Sequence, residues 1–190
     1  MYSILTLLLI LVVSACGTTT DDLQPPAGTK PIQEFTFTNQ DGKPFGLKDL
    51  KGKVWVADFI FTNCETVCPP LTANLSKLQE MANEKGLDVE FVSFSVDPEI
   101  DTPAVMKAYG ENYQADFSSW NYLTGYSQKE IEDFARDSFQ AIVQKTDASD
   151  QVVHTTSFFL VNKEGKIVTS YSGIENTPYE NIVKDIESIQ

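Results

Sequence analysis

Between Val54 and Phe61 the chain reads Val-Trp-Val-Ala-Asp-Phe-Ile-Phe, an apolar run interrupted by a single carboxylate. A strand with one wet face alternates apolar and polar side chains, whereas a strand covered on both faces does not. The run therefore predicts a central strand, and a central strand demands layers above and below it. Thr62-Asn63 breaks the run, and Cys64-Glu65-Thr66-Val67-Cys68-Pro69-Pro70 follows at once. Whatever Cys64 and Cys68 do, they do it where the sheet ends.

The flanking segments supply the layers. Leu71, Leu75, Leu78 and Met81 recur at helical spacing until Gly86 stops the helix. Val89 to Val96 reads as a second strand ending at Asp97-Pro98, and Pro103 to Tyr113 as a helix with Pro in its first turn. A short apolar piece, Trp120 to Leu123, precedes Ser127 and Glu130, whose spacing is that of a capping box opening another helix. Upstream, Phe35 to Thr38 alternates like a strand and Asp41-Gly42 marks a hairpin turn. Downstream, Ser157 to Val161 and Lys166 to Tyr171 flank Lys163-Glu164-Gly165 as a late hairpin, and Thr177-Pro178 open a last helix, Tyr179 to Ile189. Strands separated by helices imply parallel crossovers, and the late hairpin adds antiparallel strands. The expected class is α/β, a mixed sheet flanked by helices with an N-terminal β-hairpin.

A length of 190 residues suits one domain plus a leader. Ile4 to Val13 is almost wholly apolar, far short of the roughly 20 residues of a membrane span. It matches the hydrophobic region of a signal peptide, although no Lys or Arg precedes it. Val13-Ser14-Ala15-Cys16 resembles the lipobox of bacterial lipoproteins, which implies a signal peptide over residues 1–15 and diacylation of Cys16. Two acyl chains hold a protein to a membrane where one gives only marginal binding. Residues 16–30, rich in Thr, Asp, Pro and Gly, read as a lipidated flexible tether, and residues 31–190 as the folded domain. The expected location is the extracytoplasmic face of the cell membrane. A net charge of −13 lacks the Lys/Arg footprint that nucleic acid requires and argues against adsorption to anionic lipid.

Lipidation would consume Cys16, one of three cysteines. Cys64 and Cys68 then lie in an oxidising location, where a disulfide can persist. The positive end of a following helix favours thiolate, the form that attacks disulfides and binds metals. A helical turn over residues 64–68 would bring both sulfurs to one face. Pro69, by contrast, disfavours helical geometry at Cys68 and would leave the pair in the entry loop. A purely structural disulfide stays open, although so short a loop closes little chain entropy. The sole histidine, His154, comes 86 residues after Cys68, just before a strand. Two thiolates and one imidazole suit Cu(I), which accepts soft ligands at low coordination, while Cu(II) would want a fourth ligand. Structural zinc demands four ligands, and the chain has no further His or free Cys to give.

Three motifs in this order resemble the Sco/SenC family: Cys64-x-x-x-Cys68-Pro69, then Val96-Asp97-Pro98-Glu99 with Asp101-Thr102-Pro103, then His154-Thr155-Thr156-Ser157-Phe158-Phe159. The resemblance runs from about Phe35 to the C-terminus. It implies a thioredoxin-like fold, in which the loop before the late strand faces the cysteine loop. It further implies one copper per chain, Cu(I) or Cu(II), with Cys64, Cys68 and His154 as ligands. The implied role is that of a metallochaperone for the dinuclear copper centre of cytochrome c oxidase, whose copper-site subunit would be the partner. Gram-positive members of the family are lipoproteins, in keeping with Cys16. The competing function is a metal-independent thiol–disulfide oxidoreductase, with Cys64 and Cys68 as its redox dithiol, that keeps the oxidase cysteines reduced. His154 separates the two, because a dithiol enzyme needs no imidazole there, and residues 146–160 lack the proline that thioredoxins place before this strand. A thiol peroxidase fits least, since Phe61 stands where its hydroxyl would be.

Two acids carry open readings. Asp97 either closes the turn into the next helix, with Asp101 or Thr102 as N-cap, or supports the metal ligands and serves as an occasional Cu(II) ligand. Asp58 stands six residues before the first cysteine, as a buried acid does in thioredoxin-like redox enzymes. Burial would raise its pKa and let it accept a thiol proton; equally, it would be a hydrogen-bonded structural acid. Trp55, Trp120 and the phenylalanines read as core.

Overall fold

The computed structural model describes residues 23–146 and 149–190. The signal-peptide reading and Cys16 lie outside the described residues. At the centre is β3 (Val54–Ile60), buried at every position. It pairs in parallel with β4 (Val89–Ser95) and antiparallel with β8 (Ser157–Val161). The N-terminal hairpin of β1 (Thr36–Asn39) and β2 (Pro44–Gly46) joins through β5 (Trp120–Thr124), and β9 (Ile167–Ser172) closes the other edge. The seven strands run in the order β2-β1-β5-β4-β3-β8-β9.

Alternation along β3 sorts two different cores. On one face Phe59 stacks on Phe94 at 5.6 Å and meets Phe139 edge-on at 5.2 Å, while Phe94 packs against Phe134. Phe134 and Phe139 come from α3 (Gln128–Phe134) and the π-helical turn that continues it, Ala135–Phe139. The Ser127–Glu130 capping box that opens α3 forms as the spacing predicts. On the other face Asp58, Ser93 and Tyr122 occupy paired positions across β3, β4 and β5. This face is covered by α1 (Cys68–Glu84) and α2 (Pro103–Asn112). The two helices are tied together by Thr72–Tyr109 hydroxyls at 2.9 Å and by Ser76 Oγ donating to the Tyr113 carbonyl at 2.7 Å. A Cβ at Gly110 would sit 2.8–2.9 Å from the rings of Phe117 and Tyr122, so only glycine lets α2 lie this close to the sheet. Tyr179–Ser188 forms the final helix, α4.

Two features depart from the sequence reading. The first turn of α1 begins at Cys68 itself, with Pro69 and Pro70 inside it, where a missing N–H has no intrahelical partner to lose. Residues 64–67 precede the helix, so the entry loop, and not a helical turn, sets the spacing of the sulfurs. Second, His154 does not merely precede a strand. It ends β7 (Ser149–His154), which pairs with β6 (Val143–Thr146) in a ribbon separate from the main sheet. The ribbon is short, and among its side chains Val143 and Val152 are buried, too brief an alternation to register as a strand pattern.

The single charge of β3 is fully buried, and neither Asp58 oxygen reaches a hydrogen-bond partner. Burial pushes its carboxyl up to about 7, eased by the Ser93 hydroxyl opposite and by His154. A folded-state pKa raised above the unfolded value means that the native state holds the proton more tightly. Stability is therefore full in acid and falls as pH rises from about 4 to about 7, by on the order of 4 kcal/mol for a shift of this size. Asp58→Asn should flatten that decline and exceed the wild type in stability above pH 7, as measured by denaturant unfolding across this range. Parallel wild-type and variant curves would show that Asp58 is not the group responsible.

Candidate metal centre

The cysteine loop leaves β3 under restraint. Thr62 donates from its backbone N–H to Asp101 at 3.2 Å and from its hydroxyl at 2.6 Å, and Ser95 Oγ donates to the same carboxylate at 2.6 Å. Asp101 is buried, and burial raises its carboxyl despite these donors. It anchors the loop and leaves the N-cap of α2 to Thr102, whose hydroxyl accepts from the Val105 N–H. Beyond Thr62, the Cys64 N–H donates to the Phe61 carbonyl at 3.4 Å, and the Cys68 N–H donates to Cys64 Sγ at 3.3 Å. Cys64 is 7% exposed and Cys68 fully buried, and both are free thiols.

The ribbon delivers His154 to this loop. Its Nε2 lies 3.3 Å from Cys68 Sγ, and its ring meets Phe61 edge-on at 5.8 Å. Nδ1 stands 3.1 Å from the Thr155 carbonyl, which can only accept, so Nδ1 carries the proton. With the proton of a neutral ring on Nδ1, Nε2 faces the sulfurs as a free donor, the form that ligates metals; in the doubly protonated ring the same Nε2 donates to a thiolate. The ligand atoms of Cys64, Cys68 and His154 lie within 4.8 Å of one another, and no other such group of three occurs among the described residues.

The two thiols differ in character. Burial works against ionising Cys64, but hydrogen bonds from His154, from Cys68 and from Thr66 outweigh it and hold the thiol at about 6. The directional contact of His154 is to Cys68; toward Cys64 the imidazole acts at longer range. Cys68 goes the other way: burial, the neighbouring Cys64 and the Asp58 charge push it far above the ordinary thiol range. At neutral pH the pair is one thiolate and one thiol.

The two acids singled out from the sequence sit differently. Asp58 lies beneath the site, where its charge acts on both Cys68 and His154 without a direct bond. Asp97 closes the turn after β4 with its carbonyl, which accepts from the N–H groups of Ile100 and Asp101. Its carboxylate turns instead to Lys145 of β6, at 2.7 Å. Lys145 was invisible to sequence reasoning, because nothing in its surroundings marks β6 as a strand. The anchoring role of Asp101 had only a weak signal, a second acid in the turn that links a strand to a helix.

Residues 24–190 match the SCO1/SenC family. The chain belongs to that family. Among solved members, a SCO1/SenC family lipoprotein from Bacillus anthracis is 58% identical, with a TM-score of 0.82 over 84% of this chain and 94% of its own. BsSco, a member of the Sco family of cytochrome c oxidase assembly proteins in which a disulfide switch was identified, is 52% identical, with a TM-score of 0.79 over 85% and 94%. Bradyrhizobium japonicum ScoI, solved with copper bound, is 27% identical, with a TM-score of 0.71 over 85% and 100%. The thioredoxin-like α/β fold implied by the sequence motifs is thus the fold of this Sco domain.

The thiol asymmetry is open to titration. Thiolate absorbance of the reduced Sco domain should rise in a single step centred near pH 6, with the second thiol silent through the neutral range. Cys64→Ser should abolish that step; a step that survives in this variant would assign the acidic thiol to Cys68.

Proposed function

We propose that this protein is a copper-binding assembly factor for the dinuclear copper centre of cytochrome c oxidase, taking one Cu(I) or Cu(II) as cargo. The observation that carries the reading is the approach of an imidazole nitrogen, from 86 residues away, to 3.3 Å from one sulfur of the pair. Cys64, Cys68 and His154 would hold the ion, and two sulfurs with one nitrogen are the donor set that Cu(I) accepts. Tetrahedral zinc would lack its fourth protein ligand among the described residues. Cys64 is the readier thiolate, while Cys68 must give up its proton on ligation, against burial first, then the neighbouring Cys64 and, least, the Asp58 charge. Support comes from the copper-bound relative and from the oxidase-assembly family named for BsSco.

The same reading places the copper-site subunit of the oxidase as partner and a diacylated Cys16 as membrane anchor, in line with the lipoprotein relative. No helix among the described residues is long and apolar enough to cross a membrane.

One observation favours a second action of the same residues. A thiolate beside a reluctant thiol is the arrangement of a dithiol reductant. Cys64 would attack a client disulfide and displace one client thiolate. Cys68, on losing its proton, would then break the mixed disulfide, leaving the client with two thiols and this protein with a Cys64–Cys68 disulfide. An external reductant such as a membrane thioredoxin-like dithiol protein would restore it.

Metal analysis of reduced, purified protein should return one copper per chain. His154→Ala should weaken Cu(II) binding by about a hundredfold or more, since even partners of metal ligands are worth about 10- to 100-fold, while the fold stays intact. A variant that titrates with copper like the wild type would refute the ligand assignment and leave the dithiol reading.

A further inference from the structure

The β6–β7 ribbon that carries His154 shares no ladder with the seven-stranded sheet. Two strands alone are marginal in water, and the ribbon joins the sheet only where β7 runs into β8, so side chains settle where the rest of it lies. At its base Val143, the register partner of His154, and Val152 are buried. Directly across the ribbon from Val152 stands Lys145. Its N–H donates to Glu132 of α3 at 3.1 Å, and its ammonium spans the gap to Asp97 at 2.7 Å and Glu99 at 3.4 Å. The Asp97 side chain is 3% exposed and that of Lys145 24%, so this is no solvated surface pair. A short, partly desolvated ammonium–carboxylate bond is roughly twice as strong as a neutral one.

Asp97 belongs to the turn that also contains Asp101, the anchor of the cysteine loop. The turn after β4 thus grips both halves of the site: Asp101 holds the sulfur side and Asp97, through Lys145, the imidazole side.

We propose that Lys145 is a positioning residue: its ion pair with Asp97 is a latch that seats the His154 ribbon against the Cys64–Cys68 loop. Opening the latch lifts the imidazole off the sulfurs and leaves a two-sulfur site. The carboxylate of Asp97 is thereby assigned to holding the ribbon and not to the cargo ion. The functional meaning rests on the copper-binding reading, but the geometric claim involves no metal and is tested without one.

The test is hydrogen exchange on the full chain, reduced and metal-free. Lys145→Met keeps the aliphatic stem and removes the charge; the amides of Gln144, Val153 and Thr155, which face across the ribbon, should exchange about tenfold faster, with β3 and α4 unchanged. Lys145→Arg should restore protection. The exchanged pair Lys145→Asp with Asp97→Lys should be better protected than the sum of the two single changes allows. Wild-type exchange in Lys145→Met, or a ribbon loosened by Asp97→Asn but not by Lys145→Met, would overturn the latch. In a parallel titration, Lys145→Met should bind Cu(II) about tenfold more weakly, without a change in the charge-transfer band of the bound form. A loosened ribbon in a protein that takes up no copper would uphold the latch and refute the copper reading; normal copper uptake with an unloosened ribbon would do the reverse.

Discussion

The 3.3 Å contact between His154 Nε2 and Cys68 Sγ joins two parts of the molecule that share no backbone ladder. One part is the exit of the central strand, held rigid because every residue of β3 is buried between two helical layers. The other is a two-stranded ribbon that stands apart from the sheet. The backbone brings them near, since β7 runs within three residues into β8, which is laddered to β3, but it does not set the final contact. Their meeting depends on side chains around the site, and those side chains are spent on orientation: Nδ1 toward the Thr155 carbonyl, the Phe61 ring against the imidazole, and the Asp101 carboxylate under Thr62.

Electrostatics then divides the labour between sulfurs that are four residues apart. Both are buried, and burial alone would make both reluctant to ionise. Hydrogen-bond donors converge on Cys64, and the proximity of that thiolate and of Asp58 keeps the second proton on Cys68. Coupled sites of this kind lose protons as a pair, so the first ionisation raises the cost of the second. A cation bound to both sulfurs offsets that mutual repulsion and so takes the place of the proton that Cys68 otherwise keeps.

Much of this was legible in the chain. The apolar run of β3, the helical period of Leu71, Leu75 and Leu78, and the Ser127–Glu130 capping box each carry their structure in local chemistry, and each forms where the pattern puts it. The three ligand types were equally legible, because a lone histidine and a close cysteine pair are scarce residues. The ribbon was not, since Lys145 and its neighbours alternate over too few positions, and their placement comes from contacts with Asp97 and Glu132, far away in sequence. Pro69 was half a guide: Cys64 stays in the entry loop, as its bias suggests, while Cys68 takes the first helical position, where Pro69 and Pro70 follow without an intrahelical bond to lose.

The five residues from Asp97 to Asp101 form one tight turn, closed by two bonds to a single carbonyl. Because one acid of that turn restrains the sulfur loop and another faces the imidazole-bearing strands, a displacement there is felt on both sides of the cluster together. The turn is a common mount: the sulfur loop and the ribbon are each fastened to it by one of its carboxylates, so its shape enters the distance between nitrogen and sulfur.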